Sequence, residues 1–218
     1  MTLEATQLPG GELADHVQPR PVLASEKVFD GMVWDVLRDT VDLGEAGTVQ
    51  REYVRHTGAV IALALDDRDR VLFIQQYRHP VQSVEWELPA GLLDQPGETP
   101  WVAVARELHE EADLTARRWN VLMDFYNSPG GMSEAGRIFL ARDLASVPYA
   151  ERFERSHEER GMPTHWVDLD EAHDAVLRGA LHNPSAVIGV LAAHAARARE
   201  WVTLRPHDAP WPEHPAYR

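Results

Sequence analysis

The segment Pro89 to Leu114, PAGLLDQPGETPWVAVARELHEEADL, constrains the chain more than any other. Thr99 is a residue type that caps a helix N-terminus and Pro100 one that fits the first helical position, so a helix is expected to open there. On it, Glu107, Glu110 and Glu111 stand three and four residues apart and share a face. Neither Glu107 nor Glu111 has a Lys or Arg four positions away to relieve their mutual repulsion. Trp101, Val104, Ala105, Leu108 and Ala112 fall on an apolar stripe, with the glutamates roughly opposite.

Two readings of this pattern stay open at this level. One is a surface helix with a solvated acidic face. The other is a set of carboxylates gathered for a cation. Two carboxylates about 6 Å apart in a partly buried site of effective dielectric constant near 20 repel by roughly 3 kcal/mol. A divalent cation turns that repulsion into attraction, and hard cations take oxygen ligands and bridge phosphates.

In order, Gly91, Glu98, Arg106, Glu107, Glu110 and Glu111 resemble the Nudix box: a glycine, a glutamate, then Arg-Glu-apolar-any-Glu-Glu. Six residues separate Gly91 from Glu98 where the usual pattern has five, a spacing similar to that of some ADP-ribose pyrophosphatases. Asp113 stands where the pattern has glycine at the helix end, a left-handed position that costs a non-glycine residue about 1 kcal/mol. QQYRHPV, WELPAGLLD and SPGGMSE (Ser128 to Glu134) resemble the ADP-ribose pyrophosphatase branch and extend the similarity from about Val54 to Ala141.

The resemblance implies a Nudix α/β/α sandwich with a mixed sheet and an added small N-terminal antiparallel β subdomain. It implies Glu107 and Glu111 as principal metal ligands, Glu110 as a further or water-mediated ligand, and the Ala90 carbonyl as a backbone ligand. Arg106 would anchor the loop to the helix through carboxylate contacts. Glu134 stands where that branch carries a catalytic glutamate that orients or deprotonates the attacking water, and Glu110 is the alternative base. Arg51 and Arg78 stand where similar enzymes place arginines near the diphosphate or terminal ribose, and Arg suits bidentate phosphate contacts. Trp34, Phe29 and Met32 are the local candidates for stacking on a base, with packing on the core as the competing account. The implied cofactor is Mg²⁺ or Mn²⁺, two to three ions, and the implied reaction is hydrolysis of ADP-ribose to AMP and ribose 5-phosphate. A pyrophosphatase for another nucleoside diphosphate sugar such as GDP-mannose, and a noncatalytic ADP-ribose sensor, are the alternatives.

Charge and composition narrow the partners. A net charge of −14 opposes nonspecific nucleic-acid binding, and no apolar run approaches a membrane span. Cysteine is absent, excluding disulfides and thiolate chemistry, and the opening MTLEATQLPGGELADHVQPRP has no apolar signal core. A cytoplasmic protein is expected. The eleven histidines show no pair at metal-ligand spacing and are read as structural or exposed.

The expected organisation is a mobile tail over 1–20, a β subdomain over 21–57 that makes a homodimer with possible strand exchange, a hydrolase domain over 58–205, and a Pro-rich tail over 206–218. Short strands are predicted within Lys27 to Val54. Ala59 to Asp66 and Val71 to Tyr77 are predicted to form a hairpin about DDRDR. Further strands are expected around Glu85 to Leu88, Trp119 to Tyr126, Arg137 to Ala141 and Thr164 to Val167. Helices are expected over 170–181 and 183–199, the second apolar nearly all round.

Overall fold

The structure, a computed structural model, describes residues 10–11, 13–154 and 161–217. Part of the expected mobile tail lies outside these residues, and 13–20 carry no regular structure and are exposed.

Three antiparallel strands open the fold, β1 (Val22–Asp30), β2 (Asp35–Asp42) and β3 (Thr48–Arg55), in the order β1-β2-β3. The central sheet then forms from β4 (Ala59–Ala64), β7 (Ala90–Leu92), β8 (Leu114–Tyr126), β9 (Ala135–Ser146) and the two-residue β11 (Arg205–Pro206), ordered β11-β8-β9-β4-β7. It is mixed, because β4 runs parallel to β9 and antiparallel to β7. A third sheet holds β5 (Arg70–Arg78) between β10 (Thr164–Asp168) and β6 (Ser83–Glu87).

The hairpin expected between β4 and β5 is corrected here. They are joined by a single bridge, Leu65 to Val71, and then part into different sheets. The turn-prone DDRDR does reverse the chain, but β4 has both edges taken by β7 and β9. A local turn signal cannot report competition from strands distant in sequence.

Along β4, Val60, Ala62 and Ala64 face one core, with Leu72, Val104, Leu108 and Phe139; Ile61 and Leu63 face the other, with Phe73, Ile138, Leu169 and Val190. Covering on both faces explains why this strand reads as a continuous apolar run. Helix α1 (Pro100–Ala112) covers the first core; α2 (Leu169–Leu177) and α3 (Pro184–Arg197) cover the second. The Thr99 hydroxyl accepts from the Val102 N–H and the Asn183 side chain from Ala186 N–H, as their residue types suggest. Asp113 closes α1 at φ 52°, the left-handed cap expected of that position. Helix α3 is buried along one face of small residues, Ala186, Gly189, Val190, Ala193 and Ala196, while Leu191 is exposed, so it is one-sided and not buried all round.

The C-terminal stretch has no sequence periodicity, yet it packs. Trp211 is 2% exposed and His214 is buried. The Arg137 guanidinium lies 4.6 Å from the Trp211 ring centre and donates to the carbonyls of Ala209 and Pro210, while its other contacts go to Asp124.

Candidate active site

Strand β4 organises the site. Its first residue, Ala59, pairs with Leu92 on one side and Gly136 on the other, so Gly91 and Glu134 come to the same end of the sheet. Two strand spacings separate β7 from β9, about 10 Å.

On the β7 side, α1 lays its acidic face over the strand. Ala90 donates its N–H to Glu111 Oε2 at 2.9 Å. Glu111 is 7% exposed and Glu107 has a side chain 12% exposed, so the solvated-face reading fails for both, while Glu110 is more open at 25%. The projection placed Glu111 opposite the apolar stripe; in the fold it joins Ala103, Val104 and Leu108 on the buried side of α1. Trp101, predicted on the stripe, is partly exposed. A polar strand end, rather than a hydrophobic floor, receives the last turn of the helix.

Gly91 has a steric reason to be glycine. A Cβ there would sit 2.0 Å from Cδ and Oε1 of Glu107. Its backbone is not in the left-handed region, so closeness of approach, and not conformational freedom, excludes a side chain.

Arg106 ties the carboxylates together. It donates from Nε and Nη2 to the two oxygens of Glu98, each at 3.0 Å, and from Nη1 to Glu107 at 2.6 Å and Glu110 at 3.2 Å. The hydrogen bonds it donates to Glu98, and then the charge of Glu107, hold its guanidinium far above the usual range, permanently cationic.

Four carboxylates gather here, Glu98, Glu107 and Glu110 around the Arg106 guanidinium and Glu111 on the Ala90 N–H. The donor set is all oxygen, which suits a hard divalent cation. Among the described residues no three acidic or histidine side chains are already disposed as a ligand shell, since Arg106 stands between the carboxylates. That donor chemistry fits Mg²⁺ or Mn²⁺.

On the β9 side, the Ser128–Glu134 loop is strung along β3. Val54 donates to Gly131 O and Ser133 donates to Val54 O, and the His56 N–H is bonded to Ser133 Oγ. Glu134 Oε2 accepts from Asn127 Nδ2 at 2.8 Å, and Oε1 lies 3.8 Å from His56 Nε2. Burial, foremost, and nearby His214 push the His56 pKa below its ordinary value against the pull of Glu134. Trp34 stacks on the His56 ring at 4.1 Å and 18°.

The remaining candidates are dispersed. Phe29 and Met32 lie exposed on β1 and the turn after it, and are not gathered with Trp34 over a core. Arg51 is exposed and donates to the Gln50 carbonyl. Arg78 forms a bidentate pair with buried Glu87, both bonds 2.7 Å. His56 and Asn127, with no motif of their own, were not legible as site residues, and Ser133 stood within SPGGMSE without being singled out. Nor was the C-terminal strap, where Tyr217 Oη donates to the Glu98 carbonyl and His214 Nε2 meets Thr57 O at 2.8 Å.

No described helix is long and apolar enough to cross a membrane. A solved structure titled as an ADP compounds hydrolase shares the fold, with a TM-score of 0.71 over 87% of this chain and 100% of the other at 22% identity. An ADP-ribose pyrophosphatase of Mycobacterium tuberculosis is 42% identical over 193 residues, 88% of this chain and 91% of the relative. One from Bacillus subtilis is 37% identical over 123 residues, 56% and 66% of the respective chains. The NUDIX domain family matches residues 55–187, which take in both halves of the site. The chain therefore belongs to the NUDIX domain family.

Proposed function

We propose that the protein is a metal-dependent ADP-ribose pyrophosphatase that acts in the cytoplasm and releases AMP and ribose 5-phosphate. The observation that carries this is the partly buried acidic face of α1, seated on Ala90 and Gly91, in a chain 42% identical to an ADP-ribose pyrophosphatase.

Glu107, Glu111, Glu110 and the Ala90 carbonyl would hold two to three Mg²⁺ or Mn²⁺ ions. Bound there, such ions supply charge neutralisation on the diphosphate and acidify the attacking water. Glu134 takes a proton from water as its oxygen bonds to phosphorus, and the bridging P–O bond breaks with its electron pair leaving on the departing phosphate. Asn127 holds one Glu134 oxygen, leaving the other for the proton. Arg106 keeps Glu98, Glu107 and Glu110 from drifting apart.

Arg51 and Arg78 are assigned to the diphosphate or terminal ribose, Arg78 with its guanidinium plane fixed by Glu87. Trp34, Phe29 and Met32 are assigned to the base. A homodimer through the N-terminal sheet is supported by exposed Val22, Leu23, Phe29, Met32 and Val33, an apolar surface that a second copy would bury.

Incubation with ADP-ribose and Mg²⁺ or Mn²⁺, with Glu111→Gln as control, tests the reading. Cleavage lost in the variant and on chelation is expected. Tight binding without turnover would favour a sensor, and preferential cleavage of GDP-mannose a different sugar nucleotide.

A further inference from the structure

His56 joins three parts of the molecule that sequence separates. It follows β3, its backbone N–H is bonded to Ser133 in the Ser128–Glu134 loop, and its ring stacks on Trp34 of the N-terminal β subdomain. The side chain is 5% exposed. Its two nitrogens face different partners. Gly58 N–H is bonded to Nδ1 at 3.0 Å, so in the neutral ring Nδ1 is the acceptor and the proton sits on Nε2. Nε2 lies 3.8 Å from Glu134 Oε1.

This separation exceeds a hydrogen bond and is short enough to become one through a small turn of the Glu134 side chain. Catalytic contacts commonly tighten when substrate binds. The other Glu134 oxygen is already held by Asn127, so closing the His56 contact leaves the carboxylate little freedom to rotate. Trp34 and the Gly58 N–H limit ring rotation at His56. Glu134 and His214 are the titratable groups whose charge acts on this ring, and burial outweighs Glu134 in keeping it neutral.

We propose that His56 is a positioning residue for Glu134, presenting an Nε2–H donor that fixes the orientation of the carboxylate. The role rests on Glu134 being the group that activates water. A neutral donor stabilises the carboxylate without adding a charge that would suppress its basicity.

Two substitutions separate this role from simple packing. His56→Asn places an amide where Nδ1 was and keeps an acceptor for Gly58, but has nothing at Nε2. His56→Gln extends an N–H to the Nε2 position and gives up the Gly58 contact. Kinetics on ADP-ribose with saturating Mg²⁺ are measured for both, with melting temperatures and pH profiles. His56→Asn is expected to lose about tenfold to a hundredfold in kcat, the range met when an outer orienting partner is removed, with KM little changed. His56→Gln is expected to recover most of the rate.

Wild-type kcat in His56→Asn overturns the proposal, as does a rate loss in His56→Gln at least as large as in His56→Asn. Glu134→Gln distinguishes the levels. If it keeps the wild-type rate, the assignment of Glu134 falls and this proposal falls with it. If it is inactive while His56→Asn is normal, only the role of His56 is refuted.

Discussion

Replacing Gly91 with alanine separates the stability of the site from its chemistry. The new methyl would begin 2.0 Å from the Glu107 carboxyl carbon, where ordinary contact starts at 3.4 Å, so the carboxylate must retreat by about 1.4 Å. The obstructing atoms end a flexible side chain, so the fold absorbs the change by moving a rotamer, at about 0.5–1.5 kcal/mol. That corresponds to roughly 1–6 °C in melting temperature for a domain of this size. Function is less tolerant. Mg²⁺ demands close to ideal geometry, and a 1 Å misplacement near reacting groups can cost about a hundredfold, or about 2.7 kcal/mol in the barrier. Thermal unfolding beside a Mg²⁺ titration of kcat/KM for ADP-ribose is the assay, and the expected result is a nearly intact fold with about a hundredfold weaker catalysis and a raised Mg²⁺ requirement. Unchanged Mg²⁺ dependence and rate would refute the claim that Glu107 is seated for metal by the bare Cα of Gly91. Collapse of the fold with activity falling in proportion would refute the claim that only the rotamer yields.

Other expectations follow from separate parts of the structure. Trp211→Ala should cost about 3–5 kcal/mol, because it empties a buried site and uncovers the Arg137 guanidinium; a melting temperature lower by about 6–20 °C is the check. Glu87→Gln removes the charge opposite Arg78, whose side chain is about half exposed, so the stability loss should stay near 1 kcal/mol while KM for ADP-ribose rises more than kcat falls in steady-state kinetics. Because burial depresses the His56 pKa, the unfolded chain binds more protons there than the folded one as acid is added. The stability present above pH 6.5 is lost as pH falls through the folded value, and denaturant titrations of His56→Gln between pH 7.5 and 5 should show a flatter decline than the native protein.

Features readable from sequence are those whose cause is local. The Thr99 and Asn183 caps, the left-handed Asp113 and the face shared by Glu107, Glu110 and Glu111 arise from atoms within one or two turns of each other. The order of residues around them carried the family. Where the reading fell short, the determining contact spans the chain. DDRDR promised a hairpin, but β9, more than seventy residues on, claims the edge of β4. Trp34, Phe29 and Met32 were named together from their closeness in sequence, and the fold stacks Trp34 on His56 while leaving Phe29 and Met32 exposed.

Sequence alone therefore determined which chemical groups are present and the helix that displays the acids, since side-chain charge and helical period are properties of short segments. Tertiary structure decided which acids lose solvent, why Gly91 must lack a side chain, and which histidine meets Glu134. Burial and close approach depend on strands and loops brought together from distant positions, and no local pattern encodes those distances.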